Sequence, residues 1–177
     1  MSSSDLIRWG GLAAIAGGVV WVVDSGLLLL AIPESAVTDV LFVIAAPCTV
    51  VGLVGFHALQ KDDYGRIGRG GFWTVVVATL ALVVGLTDSL LGSTALERLE
   101  LFPVGTLAVF IGFVLYGAAA LQAGVLARWC GMGFIVTPFM FLLGDFGGIL
   151  FGLLWLALGH TLWSQGDTSV GQPSRVS

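Results

Sequence analysis

The chain has 177 residues, of which 57% are hydrophobic and only 10% charged, with 26 glycines and a formal net charge of −4. A soluble domain carries roughly a quarter charged residues, so these few cannot cover a water-facing surface. The acidic balance argues against nucleic acid as a partner, and two cysteines in apolar stretches, Cys48 and Cys130, supply neither a disulfide framework nor a zinc pattern.

A helix rising 1.5 Å per residue needs about 20 apolar residues to cross ~30 Å of hydrocarbon. By that measure the sequence predicts an all-α polytopic membrane bundle of six transmembrane helices, near residues 9–32, 37–59, 72–92, 102–123, 127–144 and 148–163. Residues 1–163 form this domain, and 164–177, SQGDTSVGQPSRVS, read as a disordered cytoplasmic tail. The first apolar run is longer than a signal-peptide core and lacks a clean cleavage site, so it reads as a retained span.

Span 1 opens on Arg8-Trp9-Gly10-Gly11 and carries one acid, Asp24, in the run VVDSGLLL. An aspartate at mid-bilayer costs about 2.5–3.5 kcal/mol, less toward the interface. Asp24 stands eight residues before Ile32, roughly 12 Å of helix below the outer end. Steps of three or four residues back from it meet Trp21, Gly17, Ala14 and Gly10, a stripe where another helix packs, so Asp24 is expected to face the bundle. Span 2 contains Pro47, which should kink it. After the charged loop KDDYGRIGRGG, span 3 repeats the pattern more shallowly, with Asp88 above Gly85, Ala81 and Ala78. Pro103 opens span 4, where proline is tolerated, and Pro138 interrupts span 5. Spans 5 and 6, at about 18 and 16 residues, are short. Their GDFGG turn, with Asp145, is expected to sink below the outer surface, where irregular backbone needs protein or a water-filled cavity around it.

Orientation follows from the basic residues. Arg8, Lys61, Arg66, Arg69, Arg128 and Arg175 fall on one side of this layout and only Arg98 on the other, which puts both termini in the cytoplasm of a multi-pass cell-membrane protein. Trp9, Trp73, Trp129 and Trp163 mark the same inner ends. The loop acids Glu34, Glu97 and Glu100 read as the ordinary complement of that bias. The spans also suggest three two-helix hairpin repeats: each opens on Arg followed by Gly, and the arginine is followed 16, 19 and 17 residues later by Asp24, Asp88 and Asp145. Each returning helix carries an apolar-Gly-apolar-apolar step at Gly52, Gly112 or Gly152.

The three aspartates outline an outward-facing acidic cavity, with Trp21, Phe141 and Trp155 as apolar walls. This suits a small transporter, channel-like subunit or binding protein for a cation, proton or small amphiphile, homo-oligomeric or part of a larger membrane complex. One alternative is a membrane enzyme that uses Asp24 or Asp88 as general acid on a lipid or isoprenoid. Another is an accessory subunit docking through glycine-rich faces, and the plainest is that Asp24 only bonds hydroxyls on a neighbouring helix. No cofactor or metal is expected. His57 and His160 lie at helix ends, where a solvated or carbonyl-bonding role is commoner than haem ligation, and the sole lysine, Lys61, lies in a loop and so cannot hold retinal inside the bundle. Asp62-Asp63 reads as solvated charge in a loop suited to lipid headgroups, and no soluble-enzyme motif is present.

Overall fold

The computed structural model describes residues 3–30, 36–92 and 101–170. Glu34, Glu97, Arg98, Glu100 and Arg175 lie outside the described residues, as does the end of the tail. The described residues form six helices: α1 (Ser3–Leu29), α2 (Ala36–Gln60), α3 (Gly65–Leu90), α4 (Leu101–Ala123), α5 (Arg128–Phe141) and α6 (Asp145–Val170). No strand occurs among the described residues. Five helices, all but α5, are long and apolar enough to cross a membrane. The 14 residues of α5 rise about 21 Å.

Several ends differ from the sequence expectation. α1 stops at Leu29, consistent with the approach of Pro33, which disfavours helical backbone in the residue before it. α3 begins seven residues early, at Gly65, whose φ of 64° suits glycine. Its first turn is held by Gly68, packed against the buried Tyr64 ring and Ala119. α6 starts at Asp145 and runs seven residues past 163, through the beginning of the expected tail. Gly166 there lies beside Arg8 on the early-starting α1. Only Leu142–Gly144, closed by Gly144 at φ 61°, separates α5 from α6.

The helices pack as a closed ring in chain order. α1 makes its most extensive interface with α6 and a large one with α2, while α3 packs on α4 and α4 on α5. The α2–α3 and α5–α6 seams are thinner. Two triplets, α6-α1-α2 and α3-α4-α5, therefore face each other. The third sequence hairpin does not close on itself as the first two do: Gly131 of α5 meets α4 at Gly117 and Leu121, and Gly152 of α6 meets α1 at Gly18 and Val22. Small residues set these distances. The stripe Gly10, Ala14, Gly17 packs on Gly55, Gly52 and Cys48 of α2, while Gly11 and Gly18 on a neighbouring face of α1 meet α6. α1 is thus buried on two sides, the arrangement that close-packing glycines permit in lipid.

Between the triplets, aromatic rings fill the half of the bundle nearer the chain termini. Phe134 lies 5.4 Å from Phe56, 5.2 Å from Tyr116 and 6.2 Å from Trp155, all fully or almost fully buried. Further toward that end His57 stacks on Phe72 at 4.1 Å and pairs with the Tyr64 hydroxyl through Nδ1. The Gln60 amide donates to the Tyr116 hydroxyl at 3.4 Å. This half is filled by ring-to-ring contacts.

Candidate functional site

In the opposite half the triplets part around a cavity of about 340 Å³ lined from all six helices. That volume lies at the lower end of the range for small-molecule pockets. Trp21 of α1 is its hub. Its indole N–H donates to the Thr49 hydroxyl at 3.2 Å, and that hydroxyl donates to the Ala45 carbonyl at 3.0 Å. Three phenylalanines from three helices meet Trp21 edge-on: Phe42 of α2 at 5.4 Å, Phe141 of α5 at 6.0 Å and Phe151 of α6 at 5.2 Å. Such T-shaped pairs add about 0.5–1.5 kcal/mol each beyond area burial, so the ring is held without ligand. α4 supplies Phe110 and Phe113, and three threonines, Thr49, Thr79 and Thr106, are the lining's hydroxyl groups. No charged side chain is part of the lining.

Charge collects one turn further out. Asp24 follows Trp21 by three residues, Asp39 precedes Phe42 by three, and Asp145 follows Phe141 by four across the Gly144 turn. The charges that bear on Asp24 are those of Asp145 and Asp39. Asp24 is 7% exposed, and its Oδ1 is fully buried with no hydrogen-bond partner. Asp39 is half-buried and Asp145 exposed. An unpartnered carboxylate oxygen with two acids for company is a costly arrangement unless a cation joins them. Among the described residues no three His, Cys, Asp or Glu side chains converge closely enough to hold a metal ion. The acids form a loose rim, wider than a bare ion requires.

No protein-family model, no curated protein and no solved structure matches this chain. The geometry alone carries the reading.

Of the residues singled out from sequence, the structure brings together Trp21, Phe141, Asp24 and Asp145. Trp155 lies one layer below the cavity, 6.5 Å from Phe113 and 5.9 Å from Phe151, rather than in its wall. Asp88 stands apart. It follows Thr79, which does face the cavity, by nine residues, and at 100° per residue that is the opposite side of α3. Ala78 and Ala81, the small residues below it, line a shallow groove on the outer α3–α4 surface with Trp73 and Val77. His57 sits in the packed half and His160 is exposed.

Sequence reasoning passed over Asp39-Phe42, Phe110, Phe113 and the threonines. One signal was available: the acid–aromatic spacing of Trp21 and Asp24 recurs, reversed, at Asp39 and Phe42 on the antiparallel neighbour. The α4 residues gave none, because that helix is apolar on every side.

Proposed function

We propose that this membrane protein binds a small cationic amphiphile, an organic amine with an apolar body, as a binding protein or carrier. The apolar body occupies the cavity among Trp21, Phe42, Phe110 and Phe141, and the ammonium group sits at the rim with Asp24, Asp39 and Asp145. The observation that carries the reading is Asp24, buried beside the aromatic hub with an oxygen that no group of the protein satisfies. An ammonium supplies the missing donor and charge, and the ring faces below add cation–π attraction, about 0.5–2 kcal/mol per contact. A loose rim and an apolar cavity suit an organic cation better than a proton or a bare metal ion.

Orientation belongs to the same proposal. The described basic residues cluster at the end that carries both termini, with exposed Trp9, Trp73 and Trp129 near it, so that end faces the cytoplasm and the acidic rim faces outward. Ligand then enters from outside and meets the packed aromatic half as a floor.

The test is calorimetric titration of the purified protein in lipid nanodiscs with 4-phenylbutylammonium. Asp24→Asn should weaken binding at least about tenfold, the worth of one charge-assisted hydrogen bond. Val109→Trp, which fills the cavity, should abolish it with little change in melting temperature. Wild-type affinity in both variants would sink the proposal.

A further inference from the structure

Helical threonines in this protein follow one habit. Thr49, Thr74, Thr87, Thr137 and Thr161 each donate the hydroxyl to the carbonyl four residues earlier, at 2.7–3.0 Å. That local bond is the usual way for a threonine to satisfy itself in apolar surroundings. Two threonines break the habit. Thr79 of α3 and Thr106 of α4 make no hydrogen bond within the described protein, and both line the cavity. Thr79 is 7% exposed and Thr106 half-buried.

The two lie at nearly the same height along their helices. Across the antiparallel α3–α4 interface Leu82 meets Gly105 and Val75 meets Gly112, a register that sets Thr79 opposite residue 108. Thr106 is two residues from that point, about 3 Å along the axis. In ring order α3 and α4 stand across from α1 and α6, so this hydroxyl pair faces the cavity from the wall away from Trp21 and the acids. A third hydroxyl, Thr49, is already committed to Trp21 and Ala45.

We infer that Thr79 and Thr106 form a second polar subsite, which takes a hydroxyl or carbonyl oxygen at the apolar end of the amine; this rests on the amine reading above. The ligand class is then narrower: an arylalkyl amine with a neutral hydrogen-bonding oxygen at the end remote from nitrogen. A hydroxyl left free on an apolar wall is better matched by such an oxygen than by hydrocarbon. The subsite selects among amines without adding charge to the cavity.

The experiment compares 4-phenylbutylammonium with 4-(4-hydroxyphenyl)butylammonium, which differ by one phenol, on the full chain in nanodiscs. The wild type should prefer the phenol by about tenfold, the worth of one well-made hydrogen bond. The double variant Thr79→Val, Thr106→Val keeps side-chain shape and should lose that preference. Its melting temperature should not fall, because neither hydroxyl bonds the protein. Equal binding of both amines by the wild type, or a preference that survives in the double variant, overturns this inference and leaves the amine reading standing. Binding of neither amine overturns both.

Discussion

At the scale of single residues, Asp24 and Trp21 are three positions apart and do opposite work. Trp21 is satisfied in every respect, with its N–H bonded and its ring met by three others. Asp24 is buried and short of a partner at Oδ1. Replacing it with leucine should therefore stabilise the empty protein by about 1–3 kcal/mol, the cost of an unsatisfied buried group, while abolishing amine binding. Thermal unfolding with and without 4-phenylbutylammonium reads both, and a variant that melts lower than wild type without ligand would show that Asp24 holds the fold. Asp88→Asn, on the far side of α3, should leave binding unchanged in the same titration. The pairing of Asp24 with Trp21 was legible from helical spacing alone. The direction of Asp88 was not, because its small-residue stripe looks equally fit for a bundle or for an outer groove, and only the neighbours on α3 decide.

Among the elements, interfaces are set by glycines whose positions are not interchangeable. A Cβ on Gly71 would stand 2.6 Å from the Tyr116 backbone nitrogen, whereas one on Gly70 would meet nothing within 4 Å. Gly71→Ala should thus cost about 1–3 kcal/mol through forced separation of α3 and α4. Gly70→Ala should be neutral or stabilise by up to ~1 kcal/mol through helix propensity. Chemical or thermal denaturation of the two variants should move in opposite directions, and equal melting would contradict the close α3–α4 approach. Six helices and their order were legible because each apolar run is bounded by charge or turn residues. The main partners of the last two were not. Neighbours in sequence are the default expectation for a hairpin, yet α5 and α6 turn to α4 and α1. Helices apolar on all sides carry no amphipathic stripe to announce this.

For the whole molecule, two tight triplets joined by thinner seams leave the cavity between them, where the rings part. The half below it, from Phe56 and Phe134 to His57 and Phe72, is filled by ring contacts. Reporter fusions after Ser35 and after Ser164 should report opposite compartments, with the second cytoplasmic; the same compartment for both would break the alternation on which the outward rim depends. The closure of the ring by α6 also bears on how the protein is made. α1 leaves the ribosome well before α6, the helix that covers its second glycine face and brings Asp145 and Ser25's neighbour Gly148 to the rim. Until α6 is made, Asp24 lacks the part of its covering that α6 supplies, and membrane quality control is expected to act on that exposed acid. A chain stopped after Gly144 should be degraded several-fold faster than the full protein in a pulse–chase experiment, and Asp24→Leu should slow that degradation. On that outcome biosynthesis of this protein would have a late checkpoint: the acid proposed to serve a ligand in the finished molecule would serve, until α6 arrives, as the mark of an unfinished one.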